Sequence, residues 1–308
     1  MKTFLLTLII LTSVSAYSQP ADILFETVIP STHEAGHEQP AFAIKNSNSL
    51  PITVWGHGWA GSYLTYQNVN PQGVYNFNNS SYVFPHFRGP GYTRDAGGSR
   101  RSTRDIRDAV NYGINNFPNN GQKIYIGRSG GGMHGLMTAI RHDPFDIYLI
   151  AVPVININNW YKNFDPTGVV ATGLREMCGG DPTIRGTEAF DRCRRRSPID
   201  KLSPEITVPI DWHIGLNDVT VPAWPSLKAF NQLVGQEVFP QDIINYVKAN
   251  NDLPESFKRP RGVCNNNSSN ILYRRTFGNK RIVITDGGHE VACQNLWQQF
   301  LERHGFRY

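Results

Sequence analysis

Charge is sparse in this chain and cysteine sparser. Asp, Glu, Lys and Arg together make up 18% of the 308 residues, and there are four cysteines. No C-x-x-C spacing occurs among Cys178, Cys193, Cys264 and Cys293, which argues against a zinc or redox site. No apolar run, that of the first dozen residues included, is long enough to span a bilayer as a stable anchor. No long basic stripe with interleaved aromatics exists, so nucleic acid is a poor partner. The short clusters Arg192, Arg194, Arg195 and Arg196, and Arg100 and Arg101, read as solvated loops or local ion pairs. Internal repeats are missing too, which excludes a solenoid. What is present, 40% hydrophobic residues and a net charge of +5, is globular composition in a chain long enough for a sizeable core.

The strongest apolar run, Phe4 to Leu11, follows Met1-Lys2 and precedes the small residues Ser13, Ser15, Ala16 and Ser18. Ala16 and Ser18 have the −3 and −1 spacing of a signal-peptidase site, with cleavage before Gln19. Residues 1–18 are therefore expected to be a signal peptide, and 19–308 a secreted or periplasmic chain without a membrane anchor. An even number of cysteines in that compartment predicts two disulfides. Of three possible pairings the local one, Cys178–Cys193 and Cys264–Cys293, is expected.

From about residue 40, strands and helices alternate. Strands are expected at Pro51 to Trp55, Ser81 to Phe87, Lys123 to Gly127, Ile147 to Val154, Pro209 to Ile214 and Arg281 to Thr285. Helices are expected at Thr103 to Asn115, Gly132 to Arg141, Pro222 to Leu233 and Val291 to His304. This order predicts an α/β fold with a mostly parallel sheet and helices on both faces. Two segments break the alternation. Asn158 to Ser203 (158–203) reads as a cap-like insertion, and Gln236 to Lys280 (236–280) as an excursion before the last strand.

Gly127-Arg128-Ser129-Gly130-Gly131 is a G-x-S-x-G motif between a strand and a helix, the setting of a nucleophile elbow. An elbow serine needs an acid and a base later in the chain. Asp218, after the strand Pro209 to Ile214, is the leading acid. His289, after the strand Arg281 to Thr285, is the leading base. Asp286 is the rival acid, but three residues from His289 it is better suited to shaping that loop. His134 and His213 read as packed structural residues. An oxyanion hole needs two backbone N–H groups: Gly130 supplies one, and Trp59, in the loop Gly56 to Ser62, is the choice for the other, with Gly58 second. The Trp59 ring is equally suited to walling an acyl pocket and to core packing. No metal or organic cofactor is implied.

With these residues in view the chain resembles the catalytic domain of the prolyl oligopeptidase family of α/β-hydrolases, and dienelactone-hydrolase-like esterases. The resemblance runs through VWGHGWAGS at 54–62, FPHFRGPGY at 84–92, RDIRDAVNY at 104–112, IGRSGGG at 126–132, SPIDKL at 197–202, IGLNDVTVP at 214–222 and TDGGHE at 285–290. The doubled glycine after Ser129 and the Arg88-Gly89 pair are typical of that family. The resemblance implies an α/β-hydrolase fold from about residue 40 onward, with Ser129, Asp218 and His289 as a catalytic triad. Family peptidases usually add a β-propeller that gates peptide access; this chain is too short to hold one, so peptidase specificity does not carry over.

The expected activity is ester hydrolysis through an acyl-enzyme, on a small-molecule ester or short peptide. A serine-type exo- or oligopeptidase is the alternative, and a catalytically inactive binding protein on the hydrolase fold ranks third.

Overall fold

The computed structural model describes residues 23–68, 80–265, 268–290 and 293–306. The expected signal peptide, residues 1–18, lies outside these. Nine strands form one sheet in the order β1-β2-β4-β3-β5-β6-β7-β9-β8. They are β1 (Ile23–Pro30), β2 (Glu38–Lys45), β3 (Leu50–Gly56), β4 (Ser81–Pro85), β5 (Asn119–Arg128), β6 (Ile147–Ala151), β7 (Ile210–Gly215), β8 (Ile271–Phe277) and β9 (Lys280–Thr285). The six strands from β4 to β9 in that order run parallel, while β1, β2 and β8 pair antiparallel at the edges. This is the α/β-hydrolase architecture, a mostly parallel sheet.

Residue parity explains why the central strands must be covered on both faces. Tyr125, Tyr148, Ile150 and Trp212 point into one core with α1 (Arg100–Asn116), α2 (Gly130–Arg141), α6 (Trp224–Val234) and α7 (Gln241–Asn250). Their neighbours Ile124, Ile126, Ile147 and Leu149 point the other way, onto Trp297, Phe300 and Leu301 of α8 (Gln294–Arg303). A strand buried on both sides reads as a continuous apolar run, and β6 is buried throughout.

Segment 158–203 holds α3 (Ile157–Tyr161), α4 (Val169–Cys178) and α5 (Glu188–Arg196), between β6 and β7. Its apolar residues, among them Trp160, Leu174 and Met177, pack with Trp59 and with Met133 and Met137 of α2. The segment thus rests on the helix that follows the elbow. Cys178 and Cys193 are disulfide-bonded within it, with Cα atoms 5.5 Å apart. Segment 236–280 holds α7 and β8. A second disulfide, Cys264–Cys293, joins it to the start of α8, Cα atoms 4.8 Å apart.

Three differences from the sequence reading matter. β1, β2 and β8 are additional strands: β1 and β8 form the two edges, and β2 lies just inside β1. β6 ends at Ala151 and not at residue 154, because Val152 has φ +39° and Pro153 brings no N–H to the ladder. The last helix begins at Gln294, after Cys293. Among the described residues no helix is long and apolar enough to cross a membrane.

Candidate active site

Ser129 stands at the C-terminal end of β5, immediately before α2, with φ +56° and ψ −119°. This is a strained conformation for a side-chain-bearing residue. The surroundings over-determine it. Ser129 N–H donates to Ala151 O of β6 at 3.0 Å, Ser129 O accepts from Met133 N–H at 3.0 Å, and Tyr125 Oη donates to Gly131 O at 2.7 Å beneath the turn. The turn is also packed too tightly for side chains. A Cβ at Gly131 would lie 2.2 Å from Gly56 O, and one at Gly130 would lie 2.7 Å from Trp59 N. The last contact places the Trp59 backbone nitrogen beside Gly130, the two residues expected to supply the oxyanion-hole amides.

Asp218 and His289 come from the ends of β7 and β9, which are neighbours in the sheet. Their loops continue the strand pairing outward: Leu216 N–H donates to Thr285 O at 2.9 Å, and Asn217 N–H to Gly287 O at 3.0 Å. His289 Nδ1 then lies 2.7 Å from Asp218 Oδ2. Asp218 is buried, and its other oxygen accepts from Thr220 N–H and Val221 N–H, both at 2.8 Å. With the carboxylate as acceptor, the imidazole proton belongs on Nδ1 and the Nε2 lone pair is left free. The Ser129 and His289 strands are separated by β6 and β7, about 14 Å at ordinary strand spacing. Arg128, beside the serine, is ion-paired with Glu290, beside the histidine, and this contact ties the loop to the elbow. Among the described residues no hydrogen bond joins the Ser129 hydroxyl to His289; such pairs are commonly loose without substrate and tighten when it binds.

Asp286 is engaged elsewhere: its carboxylate accepts from Asn270 N–H at 2.7 Å and from Asn270 Nδ2 at 2.5 Å. It shapes the loop and does not face His289. His213 is fully buried in β7. Its Nδ1 accepts from Cys293 N–H at 3.1 Å and its Nε2 lies 3.0 Å from Asp211. Burial pushes the Asp211 carboxyl up, but His213 and Arg281 more than offset this and hold it below the usual range. This network and the Arg128–Glu290 pair both hold the His289 loop on its C-terminal side, at Cys293 and Glu290. The sequence reading missed both. A weak signal for the pair existed in the opposite charges flanking Ser129 and His289. Trp160 Nε1 donates to Thr220 O at 2.8 Å, linking the cap to the Asp218 turn. The Trp59 ring meets Trp160 edge-on at 5.0 Å, and Trp59 is buried.

Two histidines under the site have depressed basicity. Burial lowers His57 from 6.5 to about 4 and His134 from 6.5 to about 3. His134 Nδ1 lies 2.8 Å from Gly130 O, and its Nε2 accepts from Gly98 N–H at 2.9 Å, so the neutral ring is fully bonded and has no room for a second proton. The unfolded chain takes up protons below 6.5 that the folded protein refuses. Stability is therefore fully present above that pH and is lost as pH falls from 6.5 toward 4, by about 1.4 kcal/mol per unit for each ring. Melting temperature is expected to drop across this window, with proton uptake on unfolding measurable by calorimetry near pH 5. A flat profile would contradict the assignment.

A family model described as the prolyl oligopeptidase family matches residues 82–251, more than half of the chain. The chain belongs to this family. The matched stretch includes Ser129 and Asp218 and ends before His289. Membership points to a serine hydrolase. Comparison with curated proteins finds no match. Among solved structures, this family member resembles the Pyrococcus horikoshii acylaminoacyl peptidase, with a TM-score of 0.62 and 13% identity over 94% of this chain and 43% of that one. Oligopeptidase B from Leishmania major gives a TM-score of 0.54 and 18% identity over 92% of this chain and 36% of that one. A Pyrococcus furiosus esterase gives a TM-score of 0.59 and 12% identity over 92% and 91%. At these identities the likeness is one of fold. The chain spans less than half the length of the two peptidases.

Proposed function

We propose that this chain is a secreted serine hydrolase that cleaves ester bonds through an acyl-enzyme on Ser129. The carrying observation is the 2.7 Å contact between His289 Nδ1 and Asp218, on a loop that Glu290 pins to the residue before an elbow serine. In the mechanism, His289 Nε2 takes the Ser129 proton as Oγ attacks the substrate carbonyl carbon. The Gly130 and Trp59 N–H groups hold the tetrahedral oxyanion. The intermediate collapses, the C–O bond to the leaving group breaks, and His289 protonates the departing alkoxide. Water then repeats the cycle and releases the acid.

Preference for esters is supported by the Pyrococcus furiosus esterase, which is matched over 91% of its chain, whereas the acylaminoacyl peptidase is matched over 43% of its own. Family membership supports the second reading, a serine-type peptidase. Export is supported by the two disulfides and by the expected leader. The test is a panel of short acyl esters against aminoacyl and prolyl amides on purified mature protein. Faster turnover of esters is the expected result; faster turnover of amides would establish the peptidase reading. Failure of a fluorophosphonate probe to label the protein would overturn both.

A further inference from the structure

The two basic clusters that read as solvated loops or local ion pairs do form such pairs at Arg101, Arg192, Arg194 and Arg195, and residues of both clusters also converge on one place. A cavity of about 650 Å3 opens where the start of α1 meets the ends of α2 and α5, and it is lined by Arg100, Arg141, Arg192, Arg195, Arg196 and Lys201. Among the described residues no carboxylate lines it. One exposed carboxylate, Glu188, serves both Arg192 and Arg195, at 3.4 and 2.7 Å. The more buried cations are bonded to backbone carbonyls. Arg141 donates to Gly98 O at 2.7 Å and Arg195 O at 3.1 Å, Arg196 to Ala96 O at 3.1 Å, and Lys201 to Arg194 O and Ser197 O at 2.7 Å each. These carbonyls fix the side chains in position without cancelling their charge.

The cluster is under electrostatic stress. Burial, then repulsion from neighbouring arginines, pushes Arg141 and Arg196 down to about 10 and Lys201 down to about 8. Helix C-termini favour cations, which accounts for Arg141, Arg195 and Arg196 one at a time. It does not account for Arg100, which begins α1, at the helix end where a cation is unfavourable. Arg100 has no ion-pair partner among the described residues. An anion in the cavity would relieve the repulsion and match the guanidinium forks.

We propose that this cavity binds a small molecule bearing two or more phosphate or sulfate groups. Its volume lies in the range of small-molecule sites, roughly 300–1,000 Å3. The site is distinct from the nucleophile: Arg141 ends α2, which begins just after Ser129, about 18 Å away at the helical rise.

The test is calorimetric titration of the purified chain with inorganic tripolyphosphate at a fixed ionic strength of about 0.15 M, with a trisulfated disaccharide as a second arm. One saturable site per chain is expected, and the tighter arm identifies phosphate or sulfate as the group recognised. Arg100→Ala with Arg192→Ala should weaken binding at least about tenfold. Arg259→Ala with Arg261→Ala removes the same charge from a different, 240 Å3 cavity and should leave binding unchanged. Arg100→Glu, a helix-favourable change at an exposed position, keeps the fold and must also weaken binding. Absence of saturable binding in both arms, or equal loss in the two double variants, would overturn the site.

Discussion

Ser129→Ala is expected to lower ester turnover by about a million-fold, the scale on which nucleophile removal acts in triad enzymes. The loss should fall on kcat, because the alanine variant keeps the Gly130 and Trp59 amides and every contact that binds substrate. The fold should be indifferent. The Ser129 hydroxyl makes no capping bond to α2, and alanine meets the same backbone demand at φ +56° that serine already meets. The melting temperature should therefore stay within about 2 °C, and fluorophosphonate labelling should vanish. A variant retaining about 1% of turnover on the same substrate would remove Ser129 from the chemistry.

Asp218→Asn should cost about 10,000-fold, for a reason specific to this turn. Oδ1 of Asp218 accepts two backbone N–H groups, from Thr220 and Val221. An asparagine must place its carbonyl oxygen there, since its amide group would clash with both donors. The amide NH2 then faces His289 Nδ1 and donates to it. That drives the imidazole to the opposite tautomer, with the proton on Nε2, where it cannot accept from Ser129. Asp286→Asn is the matched control. Its partner is Asn270, so it should soften the loop and lower turnover by no more than about tenfold. If the two variants exchange these effects, the acid is Asp286 and the tautomer argument is wrong.

What could be seen in the sequence follows from how local each signal is. The elbow was legible because its strand, its glycines and its helix lie within one short stretch. β6 and β9 were legible because burial on both faces leaves a continuous apolar run. β1 and β8 went unseen because edge strands carry polar residues that blur the pattern, Arg274 and Arg275 of β8 among them, and β2, just inside β1, because Glu38, Gln39 and Pro40 break up its apolar residues. The pairing of Arg128 with Glu290 and the gathering of six cations around one cavity depend on strand order and helix docking, and no window along the chain contains both partners. The same basic residues read as solvated loops or local ion pairs for that reason: each cluster alone is short, and only packing reveals that they share a wall.

The Cys264–Cys293 bond lies four positions beyond His289, and Cys293 N–H is the group that His213 accepts. The nucleophile's turn is finished by backbone contacts that form in any redox environment, whereas the base rides on a segment whose far end is secured by an oxidised crosslink. In a reducing environment the chain would carry a complete elbow and an unfastened imidazole. Under the proposed export, oxidation would complete the base's support outside the reducing compartment, and the proposed hydrolysis would await that step.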